Sequence, residues 1–376
     1  MSQSEKLLRE LIARPSVNPA FVPPGDANAG EQRVAEFLVG VCKKAGFDVE
    51  RQSVCPGRDN ILARLLPRQK PVQRILLAPH MDTVGVQNPM SFDPQTRHGR
   101  LYGRGACDTK GTMAMMLAVL LSLAKSARRP SRTEIVFAGL VDEENGQTGS
   151  RVLAASKFKA DLAIVGEPTE LQVVTAHKGD LWLELETRGK SAHGARPELG
   201  RNAVHAMARI VDWLETDYAA QLRRRGHPLL GHPTINVGSI AGGTQPNIVP
   251  ARSVISIDRR TLPGETEATV RREIRALLLG RRQKAIFRNV KAAECLPMET
   301  PSGLPLVQQF LRCAGQKKPA GVDFFCDASV LSAGGIPSVV FGAGNIAQAH
   351  TADEWIALRS LESGTKLLTR FLESLP

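Results

Sequence analysis

The chain has 376 residues, 42% hydrophobic and 23% charged, a globular composition too long for one ordinary core. Aromatic residues make up only 5%, so stacking platforms for bases or sugars do not dominate its surface, and no apolar run reaches the roughly 20 residues that span a bilayer. The formal charge of +12 leaves nucleic acid and anionic small molecules as the classes of partner to separate.

The first residues carry acidic side chains at helical spacing and no apolar stretch of the kind that opens a secretion signal. They predict a helix over about 5–14, in a cytoplasmic protein. A second helix is expected at about 31–45, ended by Gly46. Residues 74–82 are an apolar run closing on His80 and Asp82, the pattern of a buried strand that delivers side chains at its C-terminal tip. Residues 108–126 begin polar and then run through Met113, Met115, Met116 and Leu117, a buried helix whose methionines fill core. Strands follow at 133–144, ending in acids, and at 161–168. Strands alternating with helices predict an α/β sheet covered by helices, with sites outside the carboxyl ends of its strands.

From about 179 the rhythm changes to strand 181–189, helix 201–216, strands 234–240 and 254–258, helix 265–279 and strand 285–290. This β-α-β-β-α-β order fits a ferredoxin-like α+β domain. Residues 223–232 read as a surface loop. After 292 the first rhythm returns, with a helix near 304–315 and an apolar strand at 336–342. The expectation is therefore a catalytic domain with a mostly parallel sheet, formed by 1–178 and 293–376, carrying an inserted domain at 179–292. The inserted segment holds 19 Lys/Arg against 11 Asp/Glu, but as short runs without a zinc-finger or helix-turn-helix signature, which argues for a solvated face and against nucleic acid. Six cysteines without a CxxC pair read as reduced thiols.

Chemistry-bearing side chains gather at the predicted strand ends: His80 with Asp82, Asp108, Glu143 with Glu144, and Glu167, joined by His350 near the C-terminus. Singly each is weak. Together they are a mixed nitrogen and oxygen donor set suited to zinc, in which a divalent cation removes the repulsion among the acids.

The motifs HMDTV (80–84), YGRGACDTKG (102–111), DEENGQTGS (142–150), VGEPT (165–169) and AHTADEW (349–355), in that order, resemble those of the zinc hydrolases that include acetylornithine deacetylase, succinyl-diaminopimelate desuccinylase, aminoacylase and glutamate carboxypeptidase. SAHGARPELGRNA (191–203) and GGTQPNIVP (242–250) extend the resemblance through the inserted domain. It implies two zinc ions, with cobalt or manganese as substitutes: His80 and Glu167 on one, Glu144 and His350 on the other, and Asp108 bridging both. Asp82 would orient the His80 imidazole, and Glu143 would act as general base. The Asp108–Thr109 peptide would be cis. The inserted domain would be a lid and dimerisation domain, with His193 reaching across a homodimer to stabilise an oxyanion. Asn247, Arg259 and the backbone at Gly344 would contact a small N-acyl amino acid or short peptide. Pro79 and Ser329 stand where many relatives carry glycine and arginine, and Asp327 reads as a structural hydrogen-bonding carboxylate. The implied reaction is hydrolysis of a linear amide of the N-acyl amino acid type. The rivals are a dipeptidase or glutamate-type carboxypeptidase, or a non-catalytic protein whose basic segment docks RNA or an acidic protein.

Overall fold

The computed structural model describes residues 1–86, 89–290 and 294–376. Its contacts divide the chain into two units, the first formed by Met1–Thr175, Thr300–Ala320 and Cys326–Pro376, the second by Ala176–Glu299 and Gly321–Phe325. The expected boundary at 292/293 falls outside the described residues. The segment Gly321–Phe325, assigned to the catalytic domain from sequence, belongs to the second unit, where Asp323 pairs with Lys178 at 2.7 Å.

Unit 1 opens with helices α1 (Gln3–Ile12) and α2 (Gln32–Lys44). Next come β1 (Asp48–Cys55) and β2 (Arg58–Leu65), an antiparallel hairpin that the sequence reading missed. Its Pro56–Gly57 turn, with Gly57 at φ 73, supplies the positive φ that such tight connections need. After β3 (Gln73–Pro79), a small ladder forms from β4 (Gln95–Arg97) and β5 (Arg100–Tyr102). Helix α3 (Lys110–Lys125) is apolar on nearly every side and accordingly buried. Then follow β6 (Thr133–Gly139), α4 (Thr148–Ala155), β7 (Leu162–Gly166) and β8 (Val174–His177).

Unit 2 continues with β9 (Gly179–Arg188) and α5 (Ala203–Trp213). A π-helical turn over Leu214–Tyr218 runs on into α6 (Ala219–Arg223), so helix persists past the predicted end at 216. The unit is completed by β10 (Thr234–Gly242), β11 (Arg252–Thr261), α7 (Glu267–Gly280), β12 (Ile286–Asn289) and the short strands β13 (Met298–Glu299) and β14 (Ala320–Val322). Its main sheet has the order β10-β11-β9-β12, every pair antiparallel. Alternate residues Leu183, Leu185, Ile255 and Ile257 face Met207, Ile210, Val270 and Ile274 of the helices. This is the expected ferredoxin-like arrangement.

Unit 1 resumes with α8 (Pro305–Ala314), α9 (Ala328–Ala333), β15 (Ser338–Val340), β16 (Trp355–Ala357) and α10 (Leu358–Glu373). Its sheet runs β1-β2-β6-β3-β7-β15-β8. The middle four strands are parallel and the pairs on either flank antiparallel. Every residue of β6, β7 and β15 is buried, as expected of strands covered on both faces. Phe310 of α8 packs against Phe341 and Phe371, ring centroids 4.9 and 4.5 Å apart, tying the C-terminal helices to the sheet. All six cysteines are free thiols.

Candidate metal centre

Parallel register builds the site. Pro79 lies opposite Gly166 in the β3–β7 pair, so His80 and Glu167 leave adjacent strands at the same level. His80 also bridges Leu140 beyond the end of β6, which brings the Asp142–Glu144 turn to the same sheet edge. Asp142 and Gln147 take left-handed φ of 67 and 54, and the Asp142 carbonyl accepts from the amides of Gly146 and Gln147 at 3.2 and 2.6 Å. Asp108 stands just ahead of α3. Its peptide to Thr109 is cis, as the resemblance implies, and the Thr109 hydroxyl donates to the Gly166 carbonyl at 2.6 Å.

Two donor sets share Asp108. Ligand atoms of His80, Asp108 and Glu167 lie within 4.8 Å of one another, and so do those of Asp108, Glu144 and His350. Asp108 turns one oxygen to each: Oδ1 is 3.1 Å from His80 Nε2, and Oδ2 is 3.3 Å from His350 Nε2. Glu167 Oε1 lies 3.7 Å from His80 Nε2, and Glu144 Oε2 3.1 Å from His350 Nε2.

The electrostatics of these groups are those of acids and imidazoles crowded into a buried space. Burial, then the charge of Asp108, pushes Glu144 up to about 7 and Glu167 well above the ordinary carboxyl range. Glu143 is raised well above it by burial and by Glu167. Burial opposes a charged His80, yet its hydrogen bonds to Asp108 and Asp82 outweigh that cost and raise it well above 6.5. His350 is drawn up to about 10 by its bonds to Asp108 and Glu144. Glu144 Oε1 and Glu167 Oε1 are buried with no hydrogen-bond partner, which is costly for a carboxylate oxygen unless something positive meets it. Nitrogen and oxygen donors in this mixture fit zinc, cobalt or manganese.

Glu143 belongs to neither set and is almost fully buried beside them. His80 Nδ1 faces the Asp82 carbonyl at 3.0 Å and Asp82 Oδ1 at 3.3 Å. Asp82 does more than hold the imidazole. Its carboxylate accepts from the amides of Glu143 and Glu144, both at 3.1 Å, and from the Asn18 amide nitrogen at 2.7 Å. His80, Glu143 and Glu144 are thus anchored through one buried acid.

Sequence reasoning missed the surrounding frame. Asn18 also donates to Asp142 Oδ1 at 2.9 Å, and Arg58 forks onto Glu31 at 2.8 and 2.6 Å while reaching Asp142 at 3.2 Å. Glu31 accepts from the Asp142 amide at 3.1 Å. Glu354 and Arg104, both inside the quoted motifs, are buried and paired at 2.8 Å. Asp327 accepts from Ser150 at 2.5 Å, and the Ser329 hydroxyl donates to the Cys326 carbonyl.

Within unit 1, Gly344 holds φ 96, and a Cβ there would sit 2.5 Å from Cys107 Sγ. Its amide donates to Ser360 Oγ and its carbonyl accepts from the Glu170 amide. In unit 2, His193 is exposed and accepts from the Ala195 amide through Nδ1 at 3.1 Å. The Gly194 amide donates to the Asn247 carbonyl at 2.7 Å, so the His193 and Asn247 loops are joined. Arg259 departs from expectation. It is fully buried, its Nη2 donates to Glu265 at 2.7 Å, and Nη1 donates to the Arg260 carbonyl. A buried guanidinium without a carboxylate would be too costly, so Glu265 holds the place that a substrate carboxylate was expected to take.

The family model for peptidase family M20/M25/M40 matches residues 76–374. The chain belongs to that family. As a member of this peptidase and amidohydrolase family it is a hydrolase acting on amides. It is 30% identical to an acetylornithine deacetylase of Proteus mirabilis (strain HI4320), over 98% of this chain and 96% of the relative. Its fold is similar to that of the aminopeptidase PepT of Bacillus cereus, with a TM-score of 0.79 and 22% identity over 99% of this chain and 97% of the other. It is likewise similar to the Bacillus subtilis YXEP protein, a dinuclear metal binding peptidase, with a TM-score of 0.69 and 14% identity over 98% and 96% of the two chains. Among the described residues no helix is long and apolar enough to cross a membrane.

Proposed function

We propose that the chain is a two-zinc amidohydrolase that removes the acyl group from a small N-acyl amino acid, in the manner of an acetylornithine deacetylase. The observation that carries this is the sharing of Asp108, one oxygen to each of two donor sets, together with 30% identity to a deacetylase along nearly the whole chain. A dipeptidase or carboxypeptidase would use the same centre, but its support is likeness of fold at 20% identity or less. His80 and Glu167 would hold one ion, Glu144 and His350 the other, and Asp108 both.

When bound, the ions supply Lewis-acid polarisation of the scissile carbonyl and make a water acidic enough to attack at neutral pH. The chain's own residues do the rest. Glu143, fixed through its amide to Asp82, takes the proton of the attacking water and delivers it to the leaving nitrogen. Asp82 keeps the His80 ring aimed at the centre. Asn247 and the backbone at Gly344 would hold the substrate. Arg259 could join them only by releasing Glu265. In a homodimer, His193 of the partner subunit would stabilise the developing oxyanion. Unit 2 would serve as lid and dimerisation domain.

The test is a panel of acetylornithine, succinyl-diaminopimelate, acyl-glutamates and dipeptides on zinc-reconstituted protein, with Glu143→Gln beside it. Acetylornithine should be the best substrate. Glu143→Gln should hold parental metal and lose at least about 100-fold in kcat, the scale of general-base catalysis. Normal turnover by Glu143→Gln would remove the mechanism, and preference for unblocked dipeptides would replace the substrate class.

A further inference from the structure

We propose that Glu354 is a positioning residue for the metal centre, holding the backbone of Asp108 and, through Arg104, the loop that carries His350. This rests on the two-ion reading above and adds a residue that the reading does not use.

The local fold makes Glu354 the hub of the loop that leads into α3. Pairing of Trp355 with Tyr102 in the β16–β5 ladder brings Glu354 alongside Gly103, whose amide donates to the Glu354 carbonyl at 3.0 Å. The side chain then takes four donors. Oε1 accepts from the amides of Cys107 at 2.7 Å and Asp108 at 2.9 Å. Oε2 accepts from the Gly105 amide at 2.9 Å and from Arg104 Nη1 at 2.8 Å. Arg104 uses Nη2 to reach the carbonyl of Thr351, the residue after His350, at 3.0 Å. Glu354 and Arg104 are 3% and 5% exposed, so neither has water as a substitute partner. Gly105, at φ 82, lets the loop close this tightly, since a Cβ there would lie 2.8 Å from Lys110 Cδ.

The function of this arrangement follows from what Asp108 must do. A carboxylate serving two cations has to aim each oxygen at a different one, and its aim depends on where its backbone sits. Glu354 fixes that backbone and, through one guanidinium, ties it to the loop of a ligand nearly 250 residues away in sequence. It does not touch the donor atoms itself. Glutamine at this position keeps the shape but turns an amide nitrogen toward N–H groups that need an acceptor.

The experiment uses full-length protein loaded with cobalt(II): parent, Glu354→Gln and Arg104→Lys. Ions bound per chain, affinity against a chromophoric chelator, visible absorption of the bound cobalt and thermal melting are read together. The parent is expected to hold two ions. A folded Glu354→Gln should hold at least one of them about 10–100-fold more weakly, the usual effect of removing a ligand's supporting partner, with a changed absorption band. Arg104→Lys, which leaves the Asp108 amide bonded, should lose less, and on one ion only. Two ions at parental affinity with an unchanged spectrum in Glu354→Gln overturn the proposal. Should that variant not fold, parental affinity for both ions in Arg104→Lys overturns it. A parent that binds fewer than two ions defeats the two-ion reading itself, an outcome seen before any variant is examined.

Discussion

Replacing Arg58 by methionine takes a cation out from among buried carboxylates. The Arg58, Glu31 and Asp142 side chains are 16%, 1% and 4% exposed, and the guanidinium makes a two-point contact with Glu31 before reaching Asp142. Breaking a buried pair by removing one partner costs about 3–5 kcal/mol. Two features favour the lower end, about 3 kcal/mol. Arg58 keeps some solvent contact, and burial already pushes the Glu31 carboxyl up, so the abandoned acid escapes part of the penalty by taking a proton. Arg58→Met with Glu31→Met should recover part of the loss, because it removes the acid in two-point contact with the guanidinium, while Asp142 keeps only its Asn18 and Thr148 donors. Of the three tryptophans, only Trp355 lies in unit 1. Urea unfolding followed by fluorescence in a Trp182→Phe, Trp213→Phe background therefore reports this unit alone. An Arg58→Met protein within about 0.5 kcal/mol of its parent would refute the reasoning, since that is the scatter expected of an unremarkable surface change. So would a double variant no more stable than the single one.

Burial pulls His177 down from 6.5 to about 4. Between those values the unfolded chain takes a proton that the folded chain refuses, so stability falls as pH drops through that window and is indifferent to this residue above it. The full loss is about 3 kcal/mol. Urea midpoints at pH 7 and pH 4.5, followed through Trp182 and Trp213, should converge in His177→Phe relative to the parent; parallel profiles would remove the effect. Gly344→Ala places a Cβ against Cys107 Sγ at a left-handed φ, which should cost about 1–3 kcal/mol. Adding Cys107→Ala should restore part of that in thermal melting, and an unchanged melting temperature in the single variant would count against it.

Much of the architecture was legible because burial writes itself into composition. The four parallel strands and α3 are covered on every side, so their sequences are nearly unbroken apolar runs, and the acids and His80 that end those runs stand out against them. The antiparallel unit could be read from element order alone. The β1–β2 hairpin escaped notice because β1 is polar and lacks a buried residue, and the buried run of β2 is short and flanked by Arg58, Asp59 and Arg64; the Pro56–Gly57 turn was the available signal. What required tertiary structure was pairing. Arg259 looks from sequence like a free cation, and only the fold sets Glu265 against it. Asn18, Glu31, Arg58 and Glu354 carry no local pattern that announces a role, because hydrogen-bond partners up to about 250 residues apart become neighbours only through strand register. The division of Asp108 between two donor sets is likewise a matter of ångströms, and spacing along the chain does not encode it.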